Sequence, residues 1–245
     1  MENFTEYFIK KEYYHVFQPI CSLPGSESIG FEALLRNRAG TKPDLLFQAA
    51  MKKRELPALD MHSLYFAVSA FFHSPFGTGN KLLFVNLFPS TIVAESFPAW
   101  IEQIVRDFSS MTNRIVVEIN ESVKEEEIWG EPLFMERIAY LREKGFLIAL
   151  DDVGEGTITF RKMLDMSPDF IKIDRYFSQQ LAESKRKQKV VRLFVEYCRD
   201  EARLILEGIE QSADVACALE LGVVYGQGYV LGKPKRLDDS VMVHG

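Results

Sequence analysis

The sequence has few cysteines and no basic excess. Its 245 residues include three cysteines, widely spaced along the chain, which excludes a disulfide-stapled scaffold and indicates a reducing compartment. Lysine and arginine number 29 against 35 aspartates and glutamates, a formal net charge of −6. Proteins that bind nucleic acid polymers or membrane surfaces nonspecifically usually carry a basic excess. We therefore expect neither as a partner.

Long apolar runs are also missing. The longest stretch without Asp, Glu, Lys or Arg runs from Met61 to Asn80, and its polar residues interrupt it too often for a membrane span. The first residues, Met1–Glu6, lack the basic segment and apolar core of a signal peptide. We therefore expect a soluble protein of the cytoplasm.

Several common site motifs do not occur. The chain has no Gly-rich loop of the Walker or dinucleotide-binding type and no Cys or His cluster with zinc spacing. Its four histidines lie in no arrangement that suggests pairing with a nucleophile, so a Ser-His-Asp hydrolase is not indicated. The composition itself, 47% hydrophobic and 26% charged, is that of an ordinary globular protein with a large core.

Apolar and β-branched runs alternate with amphipathic stretches along the whole chain, which predicts alternating strands and helices. The predicted strands are Tyr14–Ile20, Ser28–Leu35, Lys81–Leu87, Arg114–Ile119, Phe146–Leu150, Phe170–Ile173, Arg203–Leu206 and Val223–Leu231. The predicted helices are Leu45–Arg54, Asp60–Phe72, Ala94–Ser110, Glu125–Lys144, Phe160–Leu164, Gln179–Arg199 and Ala213–Leu221.

The order of these elements indicates the fold class. A Pro24-Gly25 turn signal between the first two strands predicts a hairpin. The later strand-then-helix order predicts parallel strands of an α/β fold, and eight of them suggest closure into a barrel. Since no linker or low-complexity tract interrupts the chain, we expect residues 1–245 to form one domain.

Oxygen-bearing side chains recur at the ends of the predicted strands. They are Glu32, Asn86, Glu118, Asp151, Asp152, Asp174 and Glu207. In a parallel barrel the carboxyl ends of the strands converge on one face, where active sites of this fold are built. Carboxylates brought so close together repel unless cations neutralise them. Mg²⁺ and Mn²⁺ prefer oxygen ligands of this kind.

An ordinary structural interpretation is equally available for each of these residues. An acid after a strand is often the N-cap of the next helix. Asp151-Asp152 precedes Gly154, which is also typical of a turn, and Glu207-Gly208 is compatible with the start of a loop. On spacing alone, a metal site and a set of caps and turns both stay open.

Eight short segments, in order and over nearly the whole chain, resemble signatures of the EAL domain family of cyclic di-GMP phosphodiesterases. They are Phe17-Gln18-Pro19-Ile20, Gly30-Phe31-Glu32-Ala33-Leu34-Leu35-Arg36, Val85-Asn86-Leu87-Phe88-Pro89, Glu118-Ile119-Asn120-Glu121, Asp151-Asp152-Val153-Gly154-Glu155-Gly156, Ile171-Lys172-Ile173-Asp174-Arg175, Glu207-Gly208-Ile209-Glu210 and Gln227-Gly228-Tyr229. The resemblance implies a modified TIM-like (β/α)8 barrel with an antiparallel first strand. It also implies hydrolysis of cyclic di-GMP to linear pGpG with two Mg²⁺ or Mn²⁺ ions, in bacterial second-messenger signalling, and a homodimer.

The resemblance further implies roles for individual residues. The metal ligands are Glu32, Asn86, Glu118, Asp151, Asp152 and Glu207. The catalytic residues are Glu32, Asp151, Asp152, Lys172 and Glu207, with Lys172 near the attacking water. The substrate-binding residues are Gln18, Leu35, Arg36 and Gln227, with Arg36 at a phosphate and Gln227 close to the metals and water. Glu121 supports the loop after Asp152, and Glu210 is a partner of the ligands.

Two segments depart from the family pattern. The loop Val153–Thr159 lacks the family's aromatic residues and carries Glu155, and Asn120 stands in place of a threonine, which is a minor change. The altered loop motivates an alternative function, a noncatalytic cyclic di-GMP receptor. A protein-interaction domain that no longer binds the nucleotide is a third class, and the intact set of ligands argues against it.

Overall fold

Eight β-strands close into a barrel in the order of the chain. The computed structural model describes residues 4–10, 12–25, 27–120, 123–154 and 159–237. The strands are β1 (Tyr13–Ser22), β2 (Ser28–Asn37), β3 (Leu82–Leu87), β4 (Ile115–Asn120), β5 (Leu147–Val153), β6 (Phe170–Ile173), β7 (Arg203–Leu206) and β8 (Tyr225–Gln227). The barrel expected from the sequence is confirmed.

The first strand runs against its neighbours. β1 pairs antiparallel with both β2 and β8, whereas every other neighbouring pair is parallel. The predicted hairpin is therefore present, and the antiparallel first strand is confirmed. The register places Gln18 opposite Glu32 and Asn86 opposite Glu118, so polar residues of neighbouring strands lie at the same level of the barrel.

Helices connect the strands. They are α1 (Phe4–Ile9), α2 (Pro43–Lys53), α3 (Leu56–Phe72), α4 (Pro89–Ile92), α5 (Phe97–Phe108), α6 (Pro132–Glu143), α7 (Phe160–Met166), α8 (Arg175–Ser178), α9 (Lys185–Cys198) and α10 (Ser212–Glu220). A proline lies in the first turn of each helix from α2 to α6, where its missing N–H costs no helical hydrogen bond. Every described helix is too short or too polar to cross a bilayer.

An apolar floor fills the barrel below the level of the polar residues. It consists of six buried side chains packed together, Ile20, Phe84, Val116, Ala149, Phe170 and Ile205. Successive side chains of a strand point to opposite faces, so the residue two positions further along points the same way. For β3 to β7 those residues are Asn86, Glu118, Asp151, Lys172 and Glu207. The alternation of each strand therefore places one polar side chain above the floor.

Several predicted elements differ from the structure, and some helices of the structure were not predicted. The predicted helix Glu125–Lys144 is a 3₁₀ helix, Val123–Gly130, followed by α6, which begins at Pro132 because proline cannot continue a preceding helix. The predicted strand Val223–Leu231 pairs over Tyr225–Gln227 alone, since the chain then turns at Gly228. The sequence analysis did not predict α1, α4 or α8.

Candidate active site

A buried lysine lies at the centre of a cluster of carboxylates. Lys172 Nζ is 2.7 Å from Glu118 Oε1, 2.8 Å from Glu207 Oε1 and 2.9 Å from Asp151 Oδ1. Glu32 Oε2 lies at 3.5 Å. The Lys172 side chain is fully buried. The structure therefore brings together residues from β2, β4, β5, β6 and the end of β7, as the barrel interpretation predicts.

Two amide side chains hold Glu32 in place. Asn86 Nδ2 donates to Glu32 Oε1 at 3.0 Å, and Gln227 Nε2 donates to Glu32 Oε2 at 2.6 Å. Both oxygens of this carboxylate accept a hydrogen bond from an uncharged donor, which fixes the plane of the group. Asn86 and Gln227, predicted from the sequence as site residues, are thus in direct contact with the carboxylate cluster.

A local irregularity brings two consecutive aspartates to the same site. Neighbouring residues of a regular strand point to opposite faces. The pairing of β5 with β6 shifts register between Leu150 and Val153, and Asp152 adopts a left-handed backbone conformation with φ 54°. Such an irregularity changes the direction of side chains. As a result, one carboxylate oxygen each from Asp151, Asp152 and Glu207 lie within 4.8 Å of one another.

The carboxylates of the cluster differ in proton affinity. Burial raises the pKa of Glu118 and Glu207 well above the ordinary value and raises that of Asp151. Burial acts in the same direction on Glu32, but Lys172 and the two amide donors outweigh it and lower the pKa of Glu32. Glu32 therefore stays ionised most readily.

Lys172 keeps its proton in this environment. Burial alone would lower its pKa, but the neighbouring carboxylates, Asp151 first, outweigh burial and raise the pKa well above its ordinary value. The cluster therefore contains a permanent ammonium group among several carboxylates. One positive charge does not neutralise Glu32, Glu118, Asp151 and Glu207 if all four are ionised.

The donor set fits divalent cations. Two groups of three carboxylates each offer oxygens within 4.8 Å of one another, Glu32 with Glu118 and Asp151, and Asp151 with Asp152 and Glu207. Within the described ranges, Glu118 Oε2 and Gln227 Oε1 are buried and lack a hydrogen-bond partner, although buried polar atoms normally have one. Oxygen ligands in two groups that share Asp151 suit a pair of hard cations.

Two cavities lie on either side of the cluster and share Glu32 and Asp152. The first, of about 330 Å³, is lined by Leu35 and Arg36 together with the apolar side chains of Phe47 and Phe88. The second, of about 460 Å³, is lined by residues that include Gln18, Arg175, Glu210, Gln227 and Tyr229. Volumes above 300 Å³ are typical of ligand sites. The residues predicted to contact substrate therefore line cavities beside the carboxylates.

Four acidic residues named in the sequence analysis either lie outside the carboxylate cluster or fall outside the described residues. Asp174 caps α8 by accepting a hydrogen bond from Tyr176 N at 2.8 Å, so the capping interpretation is correct for this residue. Glu210 is exposed and lines the second cavity, and its role stays a prediction. Glu121, like Glu155 and most of its loop, lies outside the described residues.

Two contacts near the site have no signal in the sequence. Asn120 Nδ2 donates to Asn86 Oδ1 at 2.7 Å. The sequence analysis treats Asn120, which stands in place of the family's threonine, as a minor change. His15 Nε2 lies 2.9 Å from Ser63 Oγ in the wall of the first cavity. The two residues of this pair are 48 positions apart in the sequence. Burial, with nearby Arg36, lowers the pKa of His15 to about 3.

A buried aspartate supports the segment after Asn86. Asp60, in the first half of α3, accepts a hydrogen bond from Phe88 N at 2.9 Å and is 1% exposed. Burial raises the pKa of Asp60 to about 7, and the hydrogen bond from Phe88 opposes this shift. An aspartate in a mainly apolar helix is the sequence signal that identifies such a residue, and the sequence analysis did not use it.

Comparison with protein families gives one match over almost the whole chain. The family model described as "EAL domain" matches residues 1–234. The chain is 29% identical over 232 residues to "Probable cyclic di-GMP phosphodiesterase PdeI" of Escherichia coli K12, covering 91% of this chain and 29% of the relative. It is 29% identical over 241 residues to "Probable cyclic di-GMP phosphodiesterase PdeN" of the same organism, covering 95% and 46%. The chain thus spans less than half the length of either relative.

Solved structures have the same fold. The complex of the PaMucR phosphodiesterase with c-di-GMP superposes with a TM-score of 0.84 at 21% identity, covering 96% of this chain and 97% of that one. The Klebsiella pneumoniae BlrP1 complex with manganese and cyclic di-GMP superposes with a TM-score of 0.80 at 25% identity, covering 91% and 56%.

Proposed function

The chain belongs to the EAL domain family, and we propose that it is a phosphodiesterase that hydrolyses cyclic di-GMP to linear pGpG with two divalent cations, Mg²⁺ or Mn²⁺. The observation that carries the proposal is the pair of three-carboxylate groups that share Asp151. The names of the relatives and the ligands in the similar structures support the same substrate and a divalent metal. We take residues 1–245 as one such domain.

The proposed metal ligands are the oxygen-bearing residues above the barrel floor. They are Glu32, Asn86, Glu118, Asp151, Asp152 and Glu207. When bound, the cations would offset the negative charge of a phosphodiester and increase the acidity of water. The carboxylates alone would repel such a substrate, so the proposal requires metal for substrate binding as well as for turnover.

The two cavities beside the cluster suit a substrate with two similar arms. A cyclic dinucleotide carries a base on either side of its phosphodiesters, and Glu32 and Asp152 lie between the cavities. Arg36 and Leu35 in the first cavity contact the base and a phosphate, since a guanidinium recognises phosphate through paired donors. Gln18 and Gln227 line the second cavity and contact the other half of the substrate.

Lys172 acts on the attacking water. Because the carboxylates raise its pKa, it stays protonated and orients the water as a hydrogen-bond donor. The ionised carboxylates of Glu32 and Asp151, which lie within 3.5 Å of Lys172 Nζ, are the acceptors for the water's proton. The water oxygen bonds to phosphorus, one ring P–O bond breaks, and the leaving ribose oxygen takes up a proton. The product is a linear dinucleotide with a terminal phosphate, and the concentration of a bacterial second messenger falls.

Product analysis tests the proposal. Purified protein, shown to be folded by circular dichroism, is incubated with cyclic di-GMP and Mg²⁺ or Mn²⁺, and the nucleotides are separated by chromatography. We expect linear pGpG from the wild type and from Glu196→Ala, a control that removes an exposed surface carboxylate. Glu32→Ala should form no product, because the variant lacks a ligand that two amides hold in place.

A negative result has two distinct meanings. If folded, metal-loaded protein forms no pGpG but binds cyclic di-GMP in a calorimeter, the receptor function replaces hydrolysis. If it neither hydrolyses nor binds the nucleotide, the proposed substrate is wrong. Wild-type turnover in Glu32→Ala would refute the assignment of the site.

A further inference from the structure

Asn120 lies at the end of a hydrogen-bonded line of side chains that reaches into the carboxylate cluster. It is the last residue of β4, two positions beyond Glu118, so both side chains point into the barrel. Its Nδ2 donates to Asn86 Oδ1 at 2.7 Å, and Asn86 Nδ2 donates to Glu32 Oε1 at 3.0 Å. Three strands, β4, β3 and β2, thus contribute one residue each to the line.

The direction of these hydrogen bonds depends on which way the carboxamide of Asn86 faces. A carboxamide has a donor side and an acceptor side. In the observed orientation Asn86 presents its NH₂ group to the carboxylate of Glu32 and its oxygen to Asn120. Rotation by 180° would place the Asn86 oxygen against a carboxylate oxygen and its NH₂ group against the donor of Asn120. Asn120 therefore favours the observed orientation.

The same line extends to the second oxygen of Glu32. Gln227 Nε2 donates to Glu32 Oε2 at 2.6 Å, so the carboxylate is held from β8 on one side and from Asn86 on the other. Without the contact from Asn120, Glu32 alone orients the Asn86 carboxamide, so the donor at Glu32 Oε1 is held less firmly than the donor from Gln227 at Oε2. The position of two proposed metal ligands thus depends on one residue that is not itself a ligand.

We propose that Asn120 is a positioning residue for the divalent cations, acting through Asn86 and Glu32. The inference rests on the metal site of the proposed function. A carbonyl oxygen has two lone pairs, so Asn86 Oδ1 accepts from Asn120 and keeps one lone pair for a cation. Removal of a residue that orients a metal ligand typically lowers metal affinity by about 10- to 100-fold. Asn120 thus contributes to the affinity of the proposed site for its cations.

Calorimetric titration of the metal-free full chain with Mn²⁺, without nucleotide, tests the proposal. Asn120→Ala should weaken Mn²⁺ binding by about tenfold or more. Asn113→Ala, which removes an exposed asparagine, is the matched control and should bind Mn²⁺ as the wild type does. Circular dichroism and thermal unfolding in EDTA verify that each variant is folded.

A double-mutant cycle separates positioning from a general structural effect. If Asn120 acts through Asn86, Asn120→Ala should weaken binding in the wild type but have little further effect in an Asn86→Ala background. Excess Mn²⁺ should then restore turnover in Asn120→Ala without a change in the KM for cyclic di-GMP. A structural role would give the same loss of affinity in both backgrounds.

Each result decides the proposal. Unchanged Mn²⁺ affinity in Asn120→Ala, or an equal loss in the wild-type and Asn86→Ala backgrounds, would overturn it. A wild type that binds Mn²⁺ but forms no pGpG would contradict the proposed hydrolysis. The double-mutant cycle of Mn²⁺ affinity would still test the role of Asn120. A wild type that binds no Mn²⁺ would remove the metal site, and this inference with it.

Discussion

Lys172 Nζ and Glu118 Oε1 lie 2.7 Å apart, and both side chains are fully buried. Glu118 belongs to β4 and Lys172 to β6, the two strands that flank β5, and the barrel interior below them is apolar. A buried ion pair is stable only while both partners are present, because either charge alone loses its compensation. The lysine is therefore as important for the carboxylate cluster as the carboxylates are for the lysine.

Lys172→Met should destabilise the metal-free protein. The substitution removes the ammonium group that contacts four carboxylates, and loss of one partner of a buried ion pair costs about 3–5 kcal/mol. Urea unfolding in EDTA measures the change in the free energy of unfolding. Lys10→Met, which removes an exposed lysine paired with Glu6, is the control and should unfold like the wild type. Equal stability of Lys172→Met and the wild type would contradict the role given to Lys172.

Arg36→Ala should weaken substrate binding more than it slows the chemical step. Arg36 lines the first cavity beside Glu32 and Asn86, and a hydrogen bond to a charged group contributes about 1.5–3 kcal/mol. We therefore expect KM for cyclic di-GMP to rise by about 10- to 100-fold, at 1.4 kcal/mol per factor of ten, with a smaller change in kcat. Steady-state kinetics measures both constants. Arg38→Ala, at an exposed position two residues away, should leave them unchanged, and an effect on kcat alone in Arg36→Ala would reject this role.

Asp60→Asn should change how stability depends on pH. The pKa of Asp60 rises from 3.8 to about 7 on folding, so the folded state binds this proton more tightly than the unfolded state. Ionised Asp60 therefore lowers wild-type stability as pH rises from about 4 to 7, by a few kcal/mol at about 1.4 kcal/mol per pKa unit. Asparagine has no proton to lose in this pH range, and its side-chain oxygen remains an acceptor for Phe88 N.

The measurement for Asp60 is urea unfolding across this pH range. Asp60→Asn should gain stability over the wild type as pH rises towards 7, and the difference should become constant above it. Asp60→Ala should be less stable than Asp60→Asn at every pH, because Phe88 N loses its acceptor. Parallel pH profiles for the wild type and Asp60→Asn would show that Asp60 does not titrate in this way.

Much of the site follows from strand alternation, which is visible in the sequence. Phe84 and Asn86, or Val116 and Glu118, are each two residues apart, so once the strands are identified the polar residue must lie above the apolar one. The convergence of the strand ends then brings the carboxylates together. The eight strands, the hairpin and the barrel were therefore predictable from residue patterns.

The remaining features depend on relationships between distant segments. The contact of Asn120 with Asn86 requires the register of β3 against β4 and the orientation of one carboxamide. The contact of His15 with Ser63 joins β1 to α3. Asp174 and Glu207 both follow strands, yet one caps a helix and the other contacts Lys172. Residue type and spacing do not distinguish such cases, because the difference lies in the path of the chain after the strand.

Metal-dependent hydrolysis is tested by the rate of pGpG formation at increasing Mn²⁺ concentration. Wild-type protein should form no product in EDTA, and its rate should rise with Mn²⁺ to a plateau. Asp151→Ala, which removes the carboxylate common to both groups of three, should form no product at any Mn²⁺ concentration. Product formation by the wild type in EDTA, or no product from folded wild type at saturating Mn²⁺, would contradict a metal-dependent phosphodiesterase.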